Sequence, residues 1–147
     1  RYTGSTHRFR KSVFDLAYYE ALGDILVLAF NSYNSFVQGT APFQQQSLLG
    51  GNKRMRGYYE GRYIDKNMAV LQAEARVEVY RRYGAVAFIS AGALGNENRF
   101  LRINETRFSY GAGLRFAINK EDHLNLRLDY AWGQNTSGFY LTVGEAF

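Results

Sequence analysis

Apolar and polar side chains alternate one by one along much of this chain, and this pattern constrains the fold more than any other feature of the sequence. Between residues 123 and 132, leucines and aromatic residues take every second position, and Asn125, Arg127 and Asp129 lie between them. Residues 69–79 and 107–118 alternate in the same way. Only a β-strand has a period of two and turns such a sequence into two distinct faces. The pattern therefore predicts strands with one apolar and one polar face.

Further segments fit the same kind of strand, and seven strands are predicted in all. They cover approximately residues 10–20, 24–36, 69–79, 82–91, 107–118, 123–132 and 137–147. Short connections at 21–23, 81–84 and 119–122 favour an up-and-down antiparallel order. The segments are longer than typical strands of soluble proteins and long enough to cross a bilayer at a tilt.

Aromatic side chains distinguish a membrane barrel from a soluble sandwich, whose strands also alternate. Many of them fall at the ends of the predicted apolar faces, as in the interfacial girdles of membrane barrels. They are Tyr18, Tyr19, Tyr80, Tyr110, Tyr130, Trp132, Phe139, Tyr140 and Phe147. The polar faces carry Arg, Glu, Asp, Gln and Asn, which suits a polar barrel interior. The predicted fold is therefore all-β, an antiparallel up-and-down transmembrane β-barrel.

The last predicted strand supports a barrel of the bacterial outer membrane. Its apolar face resembles the terminal strand signal of such barrels. The residues predicted on that face are Phe139, Leu141, Val143 and Phe147. Glu145 departs from the signal, because it lies on the same face where an apolar residue is usual.

Composition excludes several classes of protein. The chain has 18 Lys and Arg against 13 Asp and Glu, a net charge of +5, without a long basic run. Scattered charge of this kind favours a charged surface or lumen over a nucleic-acid partner. The absence of cysteine excludes thiol catalysis and cysteine-bound zinc. No apolar run reaches about 18 residues, so no transmembrane helix is predicted.

Residues 48–63 read LLGGNKRMRGYYEGRY and have the composition of a loop between strands. They belong to a connection at about 38–64, and a loop of that length is usually functional or disordered. The aromatic residues in it argue against disorder. The segment lacks both the GxxxxGK[ST] spacing and the following helix of a phosphate loop. It is therefore a candidate functional segment of another kind.

Within this loop, the tetrad Met55, Arg56, Gly57 and Tyr58 is similar to the aliphatic-Arg-Gly-aromatic tetrad of a known family. The family is the outer-membrane protein assembly factors of the BamA and TamA type. LGG at 49–51 precedes the tetrad at the expected short spacing. Other segments resemble the family in the same order, namely AEAR at 73–76, GAGLR at 111–115, RLDY at 127–130 and the closing FYLTVGEAF. The resemblance covers nearly the whole chain.

The resemblance implies a function in folding, inserting or translocating other β-barrel proteins at the bacterial outer membrane. The expected partners are then the lipid bilayer, nascent outer-membrane proteins as clients, and accessory assembly subunits. No cofactor, metal ion or nucleic acid is expected. A passive outer-membrane anchor or a secretion pore of the same superfamily is the alternative function.

The resemblance also implies where the tetrad binds. In that family the loop folds back into the barrel lumen, where its Arg engages acidic groups on the inner wall. A guanidinium in a partly dry lumen needs carboxylate partners, and its planar fork holds them in a fixed geometry. The resemblance implies Glu74 as the first partner of Arg56. Ser90 stands at the family's second acidic position, so Glu78 or Asp129 is the candidate for that role.

The size of the barrel follows from the same loop. The family's barrel has sixteen strands, whereas the interior of an eight-stranded barrel is filled by its own side chains and has no space for residues 38–64. Bacterial barrels also normally have an even number of strands. We therefore interpret residues 1–147 as the C-terminal portion of a larger outer-membrane barrel domain, with earlier strands upstream of Arg1. A complete eight-stranded barrel with an outward loop is the alternative.

Catalysis has little support in the sequence. His7 and His123 are the only histidines, and no nucleophile elbow or Ser-His-Asp spacing is recognisable. Glu74, Glu78 and Asp129 lie among arginines, for which salt bridges in a lumen are a better explanation than a metal site. The protein is therefore not predicted to be an enzyme, and a small barrel enzyme is the least favoured interpretation.

Overall fold

The computed structural model of the chain describes residues 8–96, 101–119, 124–144 and 147. The strands in these residues are β1 (Phe9–Leu22), β2 (Leu26–Gly39), β3 (Ser47–Leu49), β4 (Tyr63–Asp65), β5 (Asn67–Tyr80), β6 (Tyr83–Gly95), β7 (Arg107–Asn119), β8 (Leu124–Gly133) and β9 (Thr136–Val143). Seven of them form one sheet in the order β1-β2-β5-β6-β7-β8-β9, and all neighbours in it are antiparallel. β3 and β4 form a separate hairpin, and single 3-10 turns cover Phe43–Gln45 and Ile103–Glu105.

The predicted fold class is confirmed, because the structure is all-β and its main sheet is antiparallel and up-and-down. Each of the seven predicted segments overlaps one strand of that sheet. β6 extends to Gly95, past the predicted end at 91, because the alternation continues there through small residues. His7, His123 and residues 145 and 146 lie outside the described residues. The sixteen-stranded barrel and the assignment of residues 1–147 to one barrel domain stay predictions.

The β3-β4 hairpin lies inside the segment that was predicted as loop. Ser47, Leu48 and Leu49 pair with Asp65, Ile64 and Tyr63. Strands of three residues are too short for a period of two to be recognised in sequence. The hairpin brings the two ends of the long connection together. Residues 50–62 between its strands therefore form a compact excursion.

The two faces of the sheet have opposite environments. We call the face against which residues 47–65 pack the inner face, and the opposite one the outer face. On the outer face, Leu71 and Tyr110 are each 60% exposed and Ile89 is 64% exposed. On the inner face, Gln72 and Glu74 of the same strand β5 are buried. A sheet whose apolar face is exposed and whose polar face is buried has the arrangement expected when lipid lies against its outside.

Aromatic side chains on the outer face form two groups at different heights. Trp132 stacks on Tyr110 at 5.7 Å between ring centroids and meets the edge of Tyr130 at 4.7 Å. At the other end of the strands, Tyr83 lies 5.2 Å from Phe116. Along β7, the six steps from Tyr110 to Phe116 span roughly 20 Å. The two groups therefore bracket an apolar band, as girdles do.

Three of the aromatic residues predicted for the girdles lie on the inner face instead. Tyr19 is opposite Ala29, which is itself opposite Glu74, and Tyr140 contacts the long loop. Phe147 lies 6.4 Å from Tyr19 between ring centroids, and the Cζ atom of Arg76 lies 5.3 Å from the Phe147 ring. Phe147 is thus separated from Phe139, Leu141 and Val143, which stay on the outer face. Phe147 does not continue the alternation of β9, because Gly144 turns the backbone with a φ of 98°.

An apolar cluster fixes the loop to the inner face near the ends of the strands. Its buried members are Tyr33, Leu49, Met55, Tyr58, Met68 and Val70. Burying side chains of this size contributes about 1.5–3 kcal/mol each. Across the residues that the structure covers, no helix has the length and apolar character needed to cross a membrane.

Candidate functional site

The tetrad lies at the tip of the excursion that the β3-β4 hairpin supports. The N–H of Gly51 donates to the carbonyl oxygen of Tyr58 at 2.9 Å, and Gly50 forms an isolated bridge with Arg54. These bonds close residues 50–58 into a tight turn. All four tetrad residues are buried.

The backbone of the tetrad requires glycine at its third position. Gly57 has a φ of 102°, in the left-handed region that favours glycine. A Cβ at this position would also lie 3.0 Å from the carbonyl carbon of Trp132 and 3.1 Å from the nitrogen of Gly133. The tetrad therefore approaches the backbone of β8 more closely than a side chain would allow.

Arg56 is fully buried between two carboxylates that come from different strands. Its Nη2 group pairs with Glu74 of β5, and its Nη1 group donates to Oδ2 of Asp129 of β8 at 2.7 Å. The guanidinium also lies over the ring of Phe88, with Cζ 3.5 Å from the ring centroid. Such a cation–π contact contributes about 2 kcal/mol when water is excluded. One loop side chain thus connects β5, β6 and β8.

Other arginines surround the same two carboxylates. Asp129 also pairs with Arg115 and accepts from Nη2 of Arg127 at 2.9 Å, and Glu74 pairs with Arg76 at 2.8 Å. The cluster therefore holds more guanidinium groups than carboxylates. Removing one partner from a buried charge network leaves an uncompensated charge, and that costs about 3–5 kcal/mol. The charge cluster is thus stable only with all of these residues in place.

Tyr58 anchors the other end of the tetrad without any charge. Its hydroxyl donates to the carbonyl oxygen of Phe108 at 2.9 Å and accepts from the N–H of Gln134 at 2.8 Å. Its ring lies 5.9 Å from that of Tyr63, edge to face. Tyr58 therefore fills an apolar position while its hydroxyl stays bonded, as a buried tyrosine requires.

Gln72, which the sequence did not single out, holds the backbone of the loop. Its amide nitrogen donates to the carbonyl oxygen of Lys53 at 2.9 Å, and its amide oxygen accepts from the N–H of Met55 at 3.4 Å. On the wall, the same amide nitrogen contacts the side-chain oxygen of Asn31 at 3.4 Å. The available signal was its position on the polar face of β5, two residues before Glu74.

Two further polar residues of the wall were also missed as contacts of the loop. Arg127 donates to the carbonyl oxygen of Asn52 at 3.3 Å. The hydroxyl of Tyr140 accepts from the N–H of Gly57 at 2.9 Å. For Tyr140 the alternation of β9 was a usable signal, because Phe139 and Leu141 on either side of it face outward.

With this geometry in place, one comparison decides the family. The model of the Omp85 superfamily domain matches residues 1–147. The chain belongs to the Omp85 superfamily. This finding confirms the resemblance to outer-membrane proteins of the BamA and TamA type. A search of curated proteins finds no match.

Membership in the Omp85 superfamily gives the setting of the site. It is a family of outer-membrane proteins, found in the bacterial outer membrane or its organellar equivalent. The exposed apolar face of the sheet suits the lipid context of an outer membrane, and the tetrad lies on the opposite, buried face.

Within this Omp85 domain, the structure brings together only some of the candidate residues. Glu74 and Asp129 contact Arg56, whereas Glu78 lies at the exposed end of β5. Ser90 is buried, and its hydroxyl contacts the amide oxygen of Gln72 at 3.5 Å. The second carboxylate beside Arg56 comes from β8, which β6 and β7 separate from the strand of Glu74. Among the described residues, no group of three or more potential ligands is arranged to hold a metal ion.

Proposed function

We propose that this chain is the C-terminal portion of the barrel domain of an outer-membrane assembly factor, which helps fold, insert or translocate other β-barrel proteins in the bacterial outer membrane. Membership in the Omp85 superfamily supports the proposal. The observation that carries it is the buried tetrad, with Arg56 held between Glu74 and Asp129. The many specific bonds that fix the loop to the inner face support a defined role for it in this function.

The tetrad acts in this proposal as an internal brace. Arg56 ties together β5 and β8, which are separated by β6 and β7 in the sheet. Charge-assisted bonds of this kind are strong and directional, so they fix the curvature of the wall that they connect. The brace keeps this half of the wall rigid while a client strand pairs elsewhere on the barrel.

The proposed place of that pairing is β9, the edge strand of the described sheet. β9 has 8 residues and pairs with β8 over Thr136 to Val143. Gly138 within β9 weakens the strand, because glycine lacks a side chain and loses more conformational freedom on pairing. An edge strand with few bonds is a template on which an extended client segment can add by backbone hydrogen bonds.

The proposed partners follow from the two faces. The outer face binds the lipid bilayer, and the clients are nascent outer-membrane β-barrel proteins, with accessory assembly subunits as further partners. The function proposed is not enzymatic and uses neither a cofactor nor a nucleic acid.

The test is an insertion assay with the natural full-length protein in proteoliposomes. Arg56→Ala should reduce client insertion at least tenfold, because it leaves Glu74 and Asp129 without their common partner. Arg62→Ala is the matched control, since Arg62 is an exposed arginine of the same loop, and it should insert clients at the natural rate. Full insertion by Arg56→Ala would remove the tetrad from the mechanism. A natural protein that inserts no client, but conducts ions or exports an attached domain, would favour a secretion pore or an anchor.

A further inference from the structure

Tyr140 of β9 is the residue through which the terminal strand meets the tetrad. Its ring packs against Val86, Phe88 and Ala131 on the inner face. Gly138, two residues earlier on the same face, leaves the space that the ring occupies. A Cβ at Gly138 would lie 2.7 Å from the hydroxyl oxygen of Tyr140 and 2.9 Å from its Cζ atom. The ring is thus held flat across β9 by a position that only glycine leaves open.

The hydroxyl of Tyr140 binds the tetrad on two sides. It accepts from the N–H of Gly57 at 2.9 Å and donates to the carbonyl oxygen of Tyr58 at 3.3 Å. Within the described residues, both hydrogen bonds that join the tetrad to β9 pass through this one oxygen. Because Gly57 is buried, its N–H would lack a partner without this hydroxyl, and an unpaired buried N–H is costly.

The Tyr140 contact differs from the other anchors of the tetrad in the strand that it engages. Arg56 reaches β5 and β8, and the hydroxyl of Tyr58 reaches the first residues of β7 and the turn after β8. Those strands lie inside the sheet. β9 is at the edge of the described sheet and pairs with β8 alone there.

We propose that Tyr140 is a positioning residue that locks the tetrad to the terminal strand, so that β9 cannot move away from the inner face without releasing Gly57. The lock makes the position of the loop depend on the position of β9, and the reverse. Its consequence for client insertion rests on the proposed function, whereas the lock itself does not. The hydroxyl is the part that acts, since the ring alone packs on apolar neighbours.

The test uses the natural full-length protein in lipid nanodiscs and measures amide hydrogen exchange. Tyr140→Phe keeps the ring and removes the hydroxyl. The amides of residues 51–58, that of Gly57 above all, should exchange about fivefold to tenfold faster, as expected for the loss of one buried hydrogen bond. Exchange in β5 and β6 should not change. The unchanged strands separate a local release of the loop from a general loss of stability.

A second tyrosine of the same strand pair supplies the control. Tyr130 of β8 lies on the outer face, and its hydroxyl donates to the hydroxyl of Ser137 of β9 at 3.1 Å. Tyr130→Phe removes a hydroxyl and a β8-β9 bond in the same way, but it should leave exchange at Gly57 at the natural rate. Gly138→Ala tests the same contact without changing Tyr140, because the added methyl displaces the Tyr140 ring. It should also give fast exchange at Gly57.

Two outcomes would overturn the lock. One is exchange at the natural rate at Gly57 in Tyr140→Phe, whatever Gly138→Ala does, and the other is an equal increase in Tyr130→Phe. The insertion assay is run on the same samples and separates the two proposals. Fast exchange at Gly57 in Tyr140→Phe, with no client insertion by the natural protein, would support the lock and reject the assembly function. Exchange at the natural rate in Tyr140→Phe, with normal insertion by the natural protein, would reject the lock and support the assembly function.

Discussion

The inner and outer faces of the same strands are stabilised in opposite ways. On β5, Glu74 is buried against Arg56, while Leu71 on the other face is exposed and has no specific partner to find. The outer face needs only to be apolar, because any lipid chain satisfies it. The inner face needs particular atoms at particular distances, because each buried charge must meet its counterpart. Function in this domain should therefore be sought on the inner face.

Arg56→Ala is the largest expected loss on the inner face. The variant leaves Glu74 and Asp129 without their shared guanidinium, and the cost of breaking a buried pair is about 3–5 kcal/mol in the free energy of unfolding. Urea unfolding of the full-length protein in micelles measures it. Arg62→Ala should stay within about 0.5 kcal/mol of the natural protein, as surface changes do. Equal losses in both variants would mean that the inner face is no more specific than the loop surface.

Leu71→Arg is the corresponding change on the outer face. A charge at the lipid side of a strand costs about 2–4 kcal/mol near the middle of the bilayer, although the residue has no partner to lose. Ile103→Arg is the control, because Ile103 is 74% exposed but lies in the connection between β6 and β7. It should cost less than about 1 kcal/mol. If Leu71→Arg were equally mild, the outer face would not be in lipid.

Gly57→Ala separates backbone shape from charge on the inner face. The variant should lose about 1–3 kcal/mol, because it combines a left-handed φ with a close approach to the backbone of β8. Gly61→Ala is a matched control with a φ of 78°, where the nearest atom to an added Cβ is 3.9 Å away. The difference between the two variants, read from thermal unfolding, gives the cost of the close approach alone. A difference of zero would show that the tetrad does not press against β8.

Tyr58→Phe is expected to have the smallest effect of the series. It removes one hydroxyl that bonds Phe108 and Gln134, which corresponds to about 1–2 kcal/mol. Tyr59→Phe is the adjacent control, since Tyr59 is 74% exposed, and its stability should not change. Both values come from the same urea unfolding experiment. A larger loss of stability in Tyr59→Phe than in Tyr58→Phe would mean that Tyr59, and not Tyr58, is the buried and hydrogen-bonded tyrosine.

The strands of the main sheet could be predicted because their signal is local. Alternation along β5, β7 and β8 is visible within ten residues, and it identifies both faces at once. The short strands β3 and β4 carry no such signal, since their pairing depends on how the long connection folds back. Alternation alone placed Phe147 on the outer face, because it does not register the turn of the backbone at Gly144.

Only the charged residues and the tetrad of the candidate site could be predicted from the sequence. Arg56 and the acidic residues around it stand out because charged residues at wall positions need partners. Gln72 and Tyr140 bind backbone atoms of the loop. Every residue has the same backbone atoms, so a sequence does not show which of them a side chain will bind. Asp129 and Glu78 were equal candidates beforehand, because the distance between β5 and β8 across the inner face depends on the curvature of the sheet.

The most direct test of the account is a pair of double-mutant cycles on Arg56. One cycle combines Arg56→Gln with Glu74→Gln, and the other combines Arg56→Gln with Glu78→Gln, four residues further along the same strand. The account predicts a coupling free energy of about 1.5–3 kcal/mol for Glu74 and less than about 0.5 kcal/mol for Glu78, both from urea unfolding of the full-length protein. Additive effects at Glu74, or a coupling of the same size at Glu78, would contradict the claim that Arg56 is anchored in the wall.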